Sequence, residues 1–293
     1  MNSVARIRPA RRLTSTALGR RLGALSPRRR WFLGVSVAAV VVLVGALAGP
    51  AVISSLDSSQ PSGYPAQDRP GTVLLVPGYG GGTGSLDVLA AGIRAAGRQA
   101  VVVQLPDGGV GDLSQQAAVL DGYVADALKS GPSVDLIGYS AGGVVVRLWV
   151  EQHDGAAKVR RVITLGSPFH GTTVAAAGAA VGAGTGACPA ACQQLIPGSS
   201  LLTELDAGAP AAGHPPWLSV WTQQDQTVVP PTSAELPDAV DVSVQSVCAG
   251  EQVSHSQLPT DAAVVGMVLQ ALGTAPLAAP DPSQCSALRA LSR

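Results

Sequence analysis

From Thr72 onward, short uncharged runs alternate with segments in which apolar residues recur every three or four positions. Thr72-Val73-Leu74-Leu75-Val76 has no polar interruption after its first residue, which predicts a strand covered on both faces. Next, Leu86, Leu89, Ala90 and Ile93 share one side of a helix that Ser85 can cap and Gly97 can end. The pattern then predicts a strand over 99–105, a loop over 106–113, and a helix over 114–129 with Ala117, Leu120, Val124 and Leu128 on one face. A further strand pattern starting at Val134 runs straight into Gly138-Tyr139-Ser140-Ala141-Gly142 and on into a helix over 141–153, and strands follow over 159–166, 217–223 and 239–245. Repeated β-α alternation predicts an α/β fold, a mostly parallel central sheet with helices on both faces. Residues 167–216 break the rhythm. They are rich in Ala and Gly and read as a cap or pocket-lining insertion.

The N-terminal part follows a different pattern. Nine arginines and no acid occupy residues 1–30, and residues 31–48 carry no charge and end in Ala46-Leu47-Ala48. A basic flank, an apolar stretch and an Ala-x-Ala site describe a secretory signal peptide, while roughly 18–20 apolar residues also suffice to span a bilayer uncleaved. Residues 1–49 are therefore read as a basic region plus signal peptide or signal anchor, with membrane association through 31–48 as the alternative outcome. Both versions place the body outside the cytoplasm. Arg29-Arg30-Trp31-Phe32-Leu33 also has the form of a twin-arginine export signal. Residues 50–71, rich in Pro, Ser, Gly and Gln, read as a flexible linker, which leaves 72–293 as one domain.

This division changes the meaning of the zero formal net charge. Removing the leader's nine arginines leaves ten basic against nineteen acidic residues, so the body is acidic and no nucleic-acid surface is expected on it. Four cysteines, Cys188, Cys192, Cys248 and Cys285, form an even set in an exported chain and predict two disulfides. Of the three pairings, Cys188–Cys192 with Cys248–Cys285 is favoured. A zinc site is disfavoured because no Cys-x-x-Cys occurs.

The candidate chemistry lies at Gly138-Tyr139-Ser140-Ala141-Gly142, which joins an apolar strand pattern to an apolar helix pattern. This is the context of a nucleophile elbow, with Ser140 as nucleophile. A serine hydroxyl needs a base, and hydrolases of this kind supply acid and histidine later in the chain. All four histidines follow Ser140. His153 and His170 come too early to follow an acid at a later strand end, and His214 precedes a strand. His255, in a loop before the last predicted helix, is the candidate base. Asp225, just past the strand over 217–223, is the candidate acid, with Asp238 and Asp241 as competitors. The Gly-rich loop Gly78-Tyr79-Gly80-Gly81-Gly82 after the first strand is placed to offer the Tyr79 N–H to an oxyanion, and Ala141 would offer the second N–H. The loop lacks Gly-x-Gly-x-x-Gly and Gly-Lys-Ser, so it is not read as a phosphate site, and no metal or cofactor is implied.

Taken together, Val76-Pro77-Gly78-Tyr79-Gly80-Gly81, Gly138-Tyr139-Ser140-Ala141-Gly142-Gly143, Thr164-Leu165-Gly166-Ser167-Pro168-Phe169-His170-Gly171-Thr172 and Asp225-Gln226-Thr227-Val228-Val229-Pro230 resemble the secreted bacterial triacylglycerol lipases of the α/β-hydrolase superfamily. The resemblance spans about residues 72–272. It implies an acyl-enzyme mechanism and a lipid or small ester as substrate, with a short-chain carboxylesterase or an acyltransferase as the alternatives on the same fold. A catalytically silent binding protein is the reading from another class. Two departures stand out: Pro77 replaces the histidine of many relatives, and 167–216 shows no strong lid-helix pattern. Leu195-Ile196-Pro197-Gly198-Ser199-Ser200-Leu201-Leu202 resembles a family segment that borders the acyl pocket and reads equally as core. With Val174 and Val181, its apolar residues are the expected acyl trough.

Overall fold

The computed structural model describes residues 64–182, 187–207 and 214–292. The export segment expected over 31–48 and its arginine-rich flank lie outside the described residues. Among the described residues, six strands form one all-parallel sheet: β1 (Thr72–Val76), β2 (Ala100–Val102), β3 (Val134–Tyr139), β4 (Val159–Leu165), β5 (Trp217–Trp221) and β6 (Val240–Ser243). Their spatial order is β2-β1-β3-β4-β5-β6. Winding therefore reverses between β1 and β3, which pair in register from Thr72 with Val134 to Val76 with Gly138. Such a reversal opens a crevice beyond the carboxyl ends of the two strands, where open α/β sheets bind ligands.

Alternate residues of each strand feed opposite cores, as the two-residue period requires. On one face Val73, Leu75, Ile137, Ile163, Leu218 and Val220 pack under α1 (Gly84–Ala95) and a late helix (Ala262–Ala271). Leu74, Val76, Leu136 and Val162 face the other way, against α2 (Leu113–Leu128) and α3 (Ala141–Gln152). Within the expected insertion three short helices appear, α4 (Thr173–Val181), α5 (Ala190–Gln194) and α6 (Ser200–Ala207). The chain then continues through β5 and β6 to α7 (Val244–Val247), α8 (Ala262–Ala271) and α9 (Cys285–Leu291).

Three boundaries differ from the sequence pattern. The strand expected over 99–105 is only Ala100–Val102, because the backbone turns into a tight helical turn at Pro106–Gly109 where Asp107 and Gly108 both take positive φ. The strand expected to 245 stops at Ser243, whose side chain accepts the Ser246 N–H and so caps α7. The tether expected up to residue 71 ends earlier. Gln67 donates to the Arg160 carbonyl (2.9 Å) and its own side-chain oxygen accepts from Arg161 (2.8 Å), which fastens this segment to the body.

Beneath the sheet, at the amino end of β3, Asp135 is fully buried. Arg160 holds both of its oxygens, at 2.9 and 2.6 Å, and Arg98 adds a third bond at 2.6 Å. The guanidiniums spend their remaining donors on backbone carbonyls: Arg160 on Gln67, Leu272 and Gly273, and Arg98 on Gly71 and Leu272. One carboxylate thus joins the entry segment, two strands and the end of α8.

Both favoured disulfides are present, Cys188–Cys192 within the insertion and Cys248–Cys285 between α7 and α9. Peptide mapping of unreduced protein is expected to recover the Cys248 peptide linked to the Cys285 peptide; separate thiol peptides would contradict the structure. Among the described residues no helix is long and apolar enough to cross a membrane.

Candidate active site

The turn from β3 into α3 carries Ser140 at φ 53° and ψ −128°. A non-glycine residue in this region costs on the order of 1–3 kcal/mol, and the surrounding packing has to impose it. That packing is visible in the flanking glycines. A Cβ on Gly142 would lie 2.3 Å from the Val76 carbonyl oxygen, and one on Gly138 would lie 2.5 Å from the Gly143 Cα. Only glycines at these two positions let the helix close down on β1 while the serine is pushed out of the turn. The Ser140 N–H is held by the Leu165 carbonyl at 2.8 Å.

Three of the residues singled out from the sequence come together here. Ser140 Oγ lies 2.9 Å from His255 Nε2, and His255 Nδ1 lies 2.6 Å from Asp225 Oδ2. All three are buried. The other oxygen of Asp225 accepts two backbone N–H groups, from Thr227 and Val228, each at 2.8 Å. These bonds fix the plane of the carboxylate. His255 starts a helical turn whose loop is braced by Gln257, which accepts from the N–H and hydroxyl of Ser254. An imidazole placed in this way can take the serine proton at Nε2 while the carboxylate at Nδ1 stabilises the resulting imidazolium.

The two residues considered for the oxyanion also flank Ser140. Ala141 is the first residue of α3, where helix N–H groups have no partner within the helix and the helix dipole favours negative charge. The loop carrying Tyr79 packs against the serine: a Cβ on Gly78 would lie 2.8 Å from Ser140 Cβ. The Tyr79 ring is exposed, and an oxyanion would use only its backbone N–H.

The sequence offered no signal for Tyr139. Its hydroxyl donates to the His255 carbonyl at 3.3 Å, and its ring lies 5.2 Å from the imidazole, centroid to centroid. Burial, and then the nearby Asp225 charge, push its phenol up to about 12, so it remains a donor. Thr222 was equally silent, yet it ties the acid loop to the histidine loop by donating to the Val253 carbonyl at 2.8 Å. The variable residue of Gly-x-Ser-x-Gly carries no sequence cue, and a threonine at a strand end reads as β propensity.

The competitors lie elsewhere. His153 stacks on Trp149 and pairs with Asp121, and His170 bonds Asp206 and the Glu235 carbonyl. His214 borders a separate cavity of about 310 Å³ with Arg147 and Trp217. Asp241 accepts the Leu236 N–H on β6, and Asp238 takes positive φ in the loop before it. Among the described residues, Cys248, Glu251 and Cys285 form the one grouping with metal-ligand spacing, and its two sulfurs are bonded to each other.

The insertion differs from the expected trough. Leu195 and Leu202 are buried, and Ile196 and Leu201 pack with them against the core beneath α2 and α3. Val174 and Val181 on α4 are exposed.

Comparison with known proteins agrees with this architecture. Residues 92–201 match the family model described as palmitoyl protein thioesterase. Among solved structures, Aspergillus fumigatus lipase B is similar at 18% identity with a TM-score of 0.60, covering 74% of this chain and 56% of that one. The chain thus spans a little over half of that lipase. A mature Bacillus licheniformis lipase is similar at 18% identity and a TM-score of 0.51, over 62% of this chain and 86% of that one. A structure from work on the metagenome-derived lipolytic enzymes LipS and LipT gives 15% identity and a TM-score of 0.55, over 71% and 95%. No curated protein matches the chain. The fold is that of the α/β hydrolases, as the sequence motifs led one to expect.

Proposed function

We propose that the protein is a serine hydrolase of carboxylic esters, with acylglycerols as the substrate class and an acyl-enzyme on Ser140 as intermediate. The observation that carries the reading is the continuous chain Ser140–His255–Asp225, with the serine held at positive φ at the carboxyl end of the sheet. His255 takes the Ser140 proton as Oγ attacks the ester carbonyl. The tetrahedral oxyanion is received by the N–H groups of Tyr79 and Ala141. The protonated His255 then gives its proton to the departing alkoxide. Water repeats the sequence on the acyl-enzyme, and the acid leaves. Similarity to lipases and to the palmitoyl protein thioesterase model supports a hydrolase of the lipase or esterase type. The arginine-rich leader and two disulfides support an exported enzyme.

The burial of Leu195 and Leu202 favours a second reading, a short-chain carboxylesterase, because side chains packed into the core cannot line a trough. Hydrolysis of p-nitrophenyl esters from acetyl to palmitoyl separates the two. The lipase reading expects kcat/KM to hold or rise beyond butyryl, since each enclosed methylene contributes up to about 0.8 kcal/mol, together with fatty acid release from emulsified triacylglycerol. A steady fall beyond butyryl and no release from emulsions would leave the esterase.

A further inference from the structure

Beside His255 lies an open groove of about 500 Å³, within the roughly 300–1,000 Å³ range of ligand sites. Its walls are four glutamines, Gln224, Gln226, Gln252 and Gln257, with Thr227, Ser254, Ser256 and His255 itself, and no Asp, Glu, Lys, Arg or aliphatic residue lines it. From this we infer that the alcohol half of the ester is an uncharged polyhydroxylated group, a sugar or a polyol. The inference rests on the ester-hydrolase reading above and concerns the same site.

When the ester C–O bond breaks, the acyl carbon stays on Ser140 Oγ, and the proton taken from that hydroxyl passes from His255 Nε2 to the alkoxide oxygen. The alkoxide oxygen must therefore lie within hydrogen-bond reach of His255 Nε2, and the groove, formed by the histidine's own loop and by the loop of Asp225 and not lined by Ser140, is placed to take the more distant part of the alcohol.

The lining then selects the chemistry. The side-chain oxygen of Gln224 is held by the Val253 N–H at 2.9 Å, and that of Gln257 by Ser254, so it is the amide nitrogen of each that is left to donate. Gln226, Gln252 and Ser256 are exposed and offer both donors and acceptors, and Ser254, whose hydroxyl donates to Gln257, offers an acceptor. A sugar hydroxyl is also both donor and acceptor, and it meets such a wall without a charge to pair. An alkyl leaving group would instead strip water from these amides and return nothing, whereas an acylglycerol with free hydroxyls falls within the accepted class. The two loops that form the walls are also tied to each other. Thr222 bonds Val253, Gln245 bonds both Thr222 and the Glu251 carbonyl, and the Asp225–His255 bond closes the brace. The loop backbones therefore need little reordering by the ligand.

The test keeps the acyl group constant. The full chain is assayed on octanoyl glucose, on methoxyethyl octanoate, whose alcohol is similarly activated but bears a single ether oxygen, and on p-nitrophenyl octanoate. The glucose ester is expected to exceed the methoxyethyl ester in kcat/KM by about tenfold or more, the worth of one or two neutral hydrogen bonds. In Gln226→Leu/Gln252→Leu that ratio should fall toward one. A wild-type ratio near one, or a ratio that the double substitution leaves in place, overturns the inference while p-nitrophenyl octanoate is still cleaved. Absence of p-nitrophenyl octanoate cleavage by the wild type would bring down the hydrolase reading, and this inference with it.

Discussion

Ser140→Ala and His255→Ala are each expected to reduce kcat toward p-nitrophenyl esters by about a thousandfold or more, with KM changing far less. The two losses should not add. Removing the serine leaves the imidazole nothing to deprotonate, and removing the imidazole leaves a hydroxyl too weak to attack, so the double variant should resemble either single one. Asp225→Asn keeps the shape of the acid loop and can still accept the Thr227 and Val228 N–H groups, but it removes the charge that stabilises an imidazolium 2.6 Å away. A steep fall in kcat is expected there too. Steady-state kinetics, with circular dichroism to verify folding, decides the matter. If folded His255→Ala protein turns over at the wild-type rate, the site has been assigned to the wrong residues. A fluorophosphonate probe gives an independent readout, since it should label wild type and fail on Ser140→Ala.

The elbow could be read from the sequence because its steric demands fall on neighbouring residues. Gly138 and Gly142 are spaced by the turn itself, so the pattern appears within five positions. The order of Ser140, Asp225 and His255 was readable for a similar reason: in a parallel sheet each of these residues follows the carboxyl end of a strand or lies in a loop at that edge. The insertion was less legible. Ala- and Gly-rich stretches have weak periodicity, so α4 and α5 did not declare themselves, and an apolar leucine has the same pattern whether it lines a trough or fills the core, as Leu195 and Leu202 do. The glutamine groove is not legible in the sequence because its two loops are about thirty residues apart and polar loop residues ordinarily mean solvent. Asp135 was hidden for the opposite reason. A single carboxylate inside Val134-Asp135-Leu136-Ile137 looks like an imperfection in an apolar strand until its partners, 25 and 37 positions away, are seen.

That carboxylate underlies the second large effect. Asp135→Ala is expected to destabilise the fold by about 3–5 kcal/mol, because removing one partner of a buried ion pair leaves the other charge without compensation. Here the consequence is compounded. Arg160 is fully buried, Arg161 beside it is buried as well, and Arg98 is mostly covered, so three guanidiniums gather around one carboxylate. Arg161 bonds only neutral oxygens, the Gln67 side chain and the carbonyls of Ala271 and Ala275. Burial, and then the Arg160 charge, already pull its ionisation below the usual arginine range. For a domain of this size the loss corresponds to a fall in Tm on the order of 10 °C, measurable by thermal unfolding. The damage should be one of stability and not of chemistry, since Asp135 lies five residues before Ser140 along β3, roughly 16 Å away at strand rise. At temperatures where the variant is folded, its kcat should therefore stay close to wild type. Asp135→Leu combined with Arg160→Met separates charge from packing: if uncompensated charge is the cause, the double variant recovers much of the lost Tm. An Asp135→Ala protein that melts with the wild type would mean that the carbonyl cage alone holds the three guanidiniums.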